Sequence, residues 1–320
     1  MTYSAGSLIE ATDYNGFVDT GANNVNKVWS TGTSDSGWGQ SALSTVSASA
    51  TITATEWATL VNRLSTMASQ TGTTITSRTA PVAGNTISIL NNVQTDINNI
   101  TRDRGNAVGI GSQYTAWTGT SGKTGSTSGV NSTIVFTHTV AFSSANAARY
   151  FWNAGGIVRW QVGKTSTGNL GDAEWNDLAG TLCGRLDIVG RVNNQSANIA
   201  GTTYTGTTKT GGTGTPTTLT TTTGWYQLTT SNTILYKQFA DTAPYTGNYI
   251  QLEAKTGNSG TTLDLTTTWY NAEGDTFSGG TAPSGVTFGT APATVVSYFP
   301  PATTYLTATW GTPTVAATTT

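Results

Sequence analysis

Ile134-Val135-Phe136-Thr137-His138-Thr139-Val140-Ala141-Phe142 is the stretch on which the fold turns. Successive side chains on a strand point to opposite faces, so Ile134, Phe136, His138, Val140 and Phe142 share one face and Thr137 and Thr139 the other. A strand with one apolar and one hydroxyl face belongs to an antiparallel sheet wetted on one side. Similar short runs follow at Tyr150–Asn153, Ile157–Val162, Leu186–Val192, Trp225–Leu228, Thr233–Phe239, Tyr249–Ala254, Thr262–Tyr270, Val295–Phe299 and Tyr305–Trp310. Many short strands rich in Thr and aromatics, with Gly, Asn and Pro between them, predict a sandwich or jelly roll. Thr202–Thr223 is so dense in Gly and Thr that it reads as exposed loop or long hairpin.

Upstream the period changes from two to 3.6. Ile52-Thr53-Ala54-Thr55-Glu56-Trp57 predicts a helix start, with Thr53 and Glu56 forming a capping box and Ile52 stapled to Trp57. Its apolar face runs Trp57, Leu60, Val61, Leu64 and Met67. A second helix is expected from about Thr86 to Arg104, with Ile87, Leu90, Val93, Ile97 and Ile100 along one stripe. That stripe alternates steps of three and four, as an oligomer seam would, but it covers only about two heptads, which favours packing within one chain. Leu8–Phe17, Thr51–Leu60 and Leu170–Leu178 share a pattern: an apolar residue, an acid, an aromatic and a further apolar residue. Each reads as a short helix entered beside a stapled aromatic, the third continuing to Leu182 and Cys183. The expected class is α+β, mainly β. A helical region at 1–104 is followed by a Gly/Ser/Thr-rich linker or loop at 105–130, then an antiparallel sandwich or jelly-roll-like region at 131–320.

Composition narrows the function. The chain has 320 residues, a net charge of −2, and only 9% charged residues, against about 25% in ordinary soluble domains. Ten Trp and twelve Tyr supply much of the apolar content, so the chain is expected to fold rather than stay disordered. Fourteen scattered Lys and Arg argue against nucleic acid, whose affinity comes from cations neutralising phosphates. No apolar run is long enough for a transmembrane helix, so membrane insertion is not expected. The start, Met1-Thr2-Tyr3-Ser4-Ala5-Gly6-Ser7-Leu8, lacks the basic and apolar regions of a secretory signal. Cys183 is the single cysteine, so no internal disulfide framework is available. A protein made in the host cytoplasm, folded without disulfides and surfaced for an extracellular setting fits a virus particle.

Few residues invite chemistry. His138 is the lone histidine and lies in phase with Phe136 and Val140, which predicts a core-facing ring. Cys183 reads as a small hydrophobe. Asp172, Glu174 and Asp177 suit a helix start. Glu273 and Asp275 suit a turn, although two carboxylates are all that glycoside cleavage needs and oxygen ligands could take calcium. Gly109-Ile110-Gly111 lacks the flanking strand and helix of a phosphate loop. In the pairs Trp225-Tyr226 and Trp269-Tyr270, one member of each should face outward, toward a partner subunit or a sugar. No catalytic, metal or cofactor residue is assigned.

Five stretches carry a family resemblance: Asp13-Tyr14-Asn15, Trp29 through Gln40, Ile52 through Trp57, Arg78 through Ile87, and Ala147 through Gly156. They resemble virion structural, tail-fibre-like proteins of tailed bacteriophages, most closely those of cyanobacterial phages. The likeness covers the first hundred residues and a patch near 150, and implies location in the particle more firmly than a role. The expectation is a non-enzymatic virion component of the tail or tail fibre that contributes to host attachment. It would pair with itself, as a trimer first of all, and with other virion proteins, without a cofactor. Two alternatives stand beside it: a module binding a host surface glycan, and a small glycan-cleaving enzyme.

Overall fold

The computed structural model describes residues 10–84, 92–109, 115–117, 132–164, 170–272 and 293–319. The first described elements are α1 (Ala11–Asn15), which relaxes into a π-helical turn over Gly16–Thr20, and α2 (Val25–Trp29). An extended segment leads to α3 (Ala54–Thr71). Here the expected capping box forms: Thr53 Oγ1 accepts from Glu56 N–H at 3.3 Å, and Thr53 N–H donates to Glu56 Oε2 at 2.6 Å. Gly72, at φ 69, ends the helix in the left-handed conformation that glycine adopts at little cost. Next comes α4 (Val93–Asp103); the first turn expected for it, with Ile87 and Leu90, lies outside the described residues.

The remainder is mainly antiparallel sheet. One five-stranded sheet orders β1 (Thr115–Trp117), β12 (Ala293–Phe299), β3 (Ile157–Gly163), β4 (Arg185–Val189) and β7 (Thr207–Thr210). A six-stranded sheet orders β13 (Thr314–Thr319), β2 (Ser132–Ala141), β11 (Thr262–Asn271), β10 (Tyr249–Gly257), β9 (Thr233–Phe239) and β8 (Thr218–Leu219). A small hairpin pairs β5 (Ala197–Ile199) with β6 (Thr202–Tyr204). The two large sheets meet through their apolar faces. Trp160 of β3 donates its indole N–H to Thr267 Oγ1 of β11 at 2.8 Å, and its ring lies 5.8 Å from that of Tyr236 on β9. The opening strand behaves as its alternation dictates, with Ile134, Phe136, His138 and Val140 all buried on the inner face. This is the expected α+β, mainly β, sandwich-like class.

Three expected strands are something else. Tyr150–Asn153 lies in α5 (Ala145–Asn153), because Ser144 caps it by accepting from Ala147 N–H and three alanines favour helix over the aromatics' strand preference. Trp225–Gln227 forms a 3-10 turn, closed by Gln227 Oε1 accepting from Gly224 N–H. Around Thr307 the backbone bonds to the side chain of Gln40 rather than to a strand, through Nε2 to the Thr307 carbonyl and Thr307 N–H to Oε1.

The third repeated pattern forms α6 (Leu170–Asn176) and continues as a π turn over Asp177–Leu182. All three copies bury their aromatic: Tyr14, Trp57 and Trp175. Tyr14 and Phe17 both set their edges against Trp57, with centroids 5.4 and 6.3 Å away.

The helical region does not stand apart from the sheets. Tyr14, Trp57, Ile100, Trp160 and Trp269 belong to one contiguous core. Trp38 is fully buried and donates its indole N–H to the carbonyl of Asn153 at 3.0 Å and that of Arg104 at 3.3 Å. In return, Asn153 Nδ2 donates to the Gly37 carbonyl at 2.9 Å. Gly37 sits at φ 96, and a Cβ there would fall 2.2 Å from the Thr31 carbonyl oxygen, so this turn requires glycine.

Trp57→Ala removes a fully buried ring with two aromatic neighbours. It is expected to destabilise the protein by ~3–5 kcal/mol, read as a lower guanidinium unfolding midpoint at unchanged slope; a shift worth under ~1 kcal/mol would remove Trp57 from the core.

Candidate functional site

Of the four aromatics singled out from the sequence, two belong to the core. Trp225 stacks on Trp152 at 5.4 Å and 18°, and Trp269 lies on the inner face of β11, 5.6 Å from Trp175. Tyr226 turns its hydroxyl inward and donates to Asn153 Oδ1 at 2.6 Å; burial first of all pushes that phenol above its ordinary value. Only Tyr270 faces outward as expected.

Tyr270 is not alone there. The register sets it opposite Tyr249, and Tyr249 opposite Phe239, so three rings cross β11, β10 and β9 in one row. Tyr249 stacks on Tyr270 at 4.9 Å and meets Phe239 at 5.3 Å. Lys237 lies over the row, its Nζ 3.7 Å from the Tyr249 centroid and 4.8 Å from that of Phe239, a cation–π arrangement. Burial lowers the Lys237 ammonium and, with the neighbouring Tyr270 and Glu253, raises the Tyr249 phenol. Phe239 and Tyr249 were not singled out from sequence. Only the register of two hairpins brings them beside Tyr270, and the alternation in each strand is the signal that could have found them.

The proposed seam residues Val93, Ile97 and Ile100 are buried in the chain's own core, where α4 packs on α3. They are used within one chain.

Among the acids, Glu174 and Asp177 meet Asp241, which the sequence did not suggest; one oxygen from each lies within 4.8 Å of the others. Burial, then the charges of Asp177 and Asp241, lift the Glu174 carboxyl above its ordinary value, against hydrogen bonds from Thr242. Three carboxylate oxygens are the donor type a hard cation takes. The side chain of Asp172, like Glu273 and Asp275, lies outside the described residues. His138 and Cys183 are both buried, and burial pushes the Cys183 thiol up to about 12.

No described helix is long and apolar enough to cross a membrane. Comparison with protein-family models, with curated proteins and with solved structures yields no match.

Tyr226→Phe takes away the donor to Asn153 Oδ1 and is expected to cost ~1–3 kcal/mol in chemical denaturation, with near-ultraviolet dichroism retained. Cys183 is expected to stay silent toward a disulfide thiol reagent at pH 8 in the folded protein and to titrate as one thiol in denaturant; rapid labelling without denaturant would contradict its burial.

Proposed function

We propose that the chain is a structural, non-enzymatic component of a bacteriophage virion, in the tail or its fibres. It would contact other virion proteins and further copies of itself, without a cofactor. The observation that carries this reading is the outer face of the six-stranded sheet. Thr133, Thr137 and Thr139 of β2 stand beside Thr266 and Thr268 of β11 there, with Asp264 the one carboxylate in that block. Such a face is held by β-branched cross-strand packing rather than by charge, so salt screens little of it. The single thiol is buried, so the fold does not rest on a redox-sensitive bond. A protein working outside the cell benefits from both. Because the α4 stripe is buried at home, self-association would use sheet faces and edges; a trimer is the first arrangement to test.

A second reading, contact with a host surface glycan, is favoured by the row Phe239, Tyr249 and Tyr270. Aromatic faces on a rigid sheet offer sugar rings an apolar surface at small entropic cost.

The test is proteomics of purified particles with localisation of the subunit in a particle map. The chain is expected in the particle at a fixed ratio to the major tail proteins. Finding it in the lysate but absent from washed particles would overturn the proposal.

A further inference from the structure

Between α2, the Thr33–Ser36 turn, the end of α4 and the turn at Asn193 there is a cleft of about 400 Å³, and none of its eleven lining residues has an apolar side chain. That volume lies low in the ~300–1,000 Å³ range of ligand sites, whose walls are mostly apolar. A wall built from polar residues selects a hydrophilic occupant. Three of the chain's fourteen basic residues, Lys27, Arg102 and Arg104, line it.

These three cations differ in what already occupies them. Arg104 has its charge paired: it donates to Asp35 Oδ1 at 2.7 Å, to the Asp35 carbonyl at 3.0 Å and to the Thr101 carbonyl at 2.7 Å. Arg102 forms a paired contact with Asp103 at 2.6 and 2.7 Å, and over half of its side chain is exposed. Lys27 Nζ reaches only neutral acceptors, the Ala22 carbonyl at 2.7 Å and Asn23 Oδ1 at 3.2 Å. Among the described residues it has no carboxylate partner. The cleft therefore holds one uncompensated positive charge.

Beside that charge stands a surplus of neutral hydrogen-bonding groups, seven of the eleven side chains. Thr101, only 7% exposed, also lines the cleft, with its hydroxyl shielded from solvent.

The cleft is also preformed. Its Thr33–Ser36 rim is held from below by Arg149, which donates to the carbonyls of Thr31, Ser34 and Ser36 at 2.7–3.0 Å. Asn193 closes it from the far half of the chain, donating its N–H to Asp35 Oδ2 at 2.6 Å. A site fixed before binding loses little entropy on occupation.

We infer that this cleft binds one acidic sugar residue, its carboxylate on Lys27 and its hydroxyls on the surrounding amides and hydroxyls. A phosphate would favour several free cations or a bidentate Arg, whereas here neutral donors and acceptors outnumber the single free cation. The site lies apart from the aromatic row and does not depend on the chain's place in a particle.

The probe is D-glucuronate titrated into the full chain and followed by saturation-transfer NMR and by the thermal midpoint. D-glucose and inorganic phosphate serve as comparisons. Glucuronate is expected to bind at least about tenfold more tightly than either and to raise the midpoint. Lys27→Gln is expected to weaken glucuronate about tenfold or more while leaving glucose unchanged, with an unaltered midpoint of the free protein. Tyr270→Ala should weaken neither sugar. Glucose binding as tightly as glucuronate would overturn the inference, because Lys27 would then not be used. Phosphate matching glucuronate would reduce the cleft to an anion site and equally overturn it. So would loss of binding in Tyr270→Ala, which would move the sugar to the outer sheet, or no binding at millimolar glucuronate.

Discussion

The rest of the structure depends on one reciprocal contact between Trp38 and Asn153. The indole N–H of Trp38 donates to the Asn153 carbonyl, and the Asn153 amide donates back to the Gly37 carbonyl. Both side chains are fully buried, so each polar group satisfies the other in a place water does not reach. Tyr226 completes the arrangement through Asn153 Oδ1. Three distant parts of the chain are fixed at one point: the glycine-bounded turn before Trp38, the end of α5 and the turn after β8. The cleft residue Arg104 joins the same junction, its carbonyl accepting from the Trp38 indole.

The core solves a second problem, the low apolar share of the sequence. Large rings carry it, with Trp152 on Trp225, Trp175 by Trp269 and Trp57 between Tyr14 and Phe17. The solution leaves polar atoms behind. Trp57, Trp152 and Trp269 each bury an indole N–H that finds no partner among the described residues, at ~1–3 kcal/mol apiece. A Trp side chain buries roughly 150–250 Å², which at about 25 cal/mol per Å² stabilises by ~4–6 kcal/mol. Burial wins over the orphaned donor, so a chain poor in Leu and Ile can still close a core.

How much of this was legible follows from the range of the deciding interaction. Strict alternation located β2, β3 and β9 to β11, and the box at Thr53 and Glu56 located α3, because those signals lie within a few residues. Tyr150–Asn153 was misread because aromatics suggest a strand until the cap at Ser144 is weighed. Near Thr307 the deciding partner is Gln40, 267 positions away, and no local pattern announces it. The two candidate surfaces divide in the same way. Tyr270 could be seen facing outward, whereas its neighbours Phe239 and Tyr249 depend on register. The cleft joins residues from Asn23 to Asn193, and its lining carries no motif at all.

Scarce charge has a further consequence for where ion pairs occur. Of the four pairs among the described residues, only Arg102–Asp103 has a member more than half exposed. Arg78–Asp96 ties the segment after α3 to α4, Arg104–Asp35 ties α4 to the Trp38 turn, and Arg159–Asp187 crosses from β3 to β4 with Arg159 over the Phe299 ring. Buried pairs add little net stability over apolar packing, but removing one partner costs ~3–5 kcal/mol. Their effect is therefore on geometry: each pair admits one arrangement of the elements it joins. Being largely shielded, they respond weakly to salt. Interior pairs set the frame and threonine covers it, which leaves Lys27 as a cation free to meet something from outside.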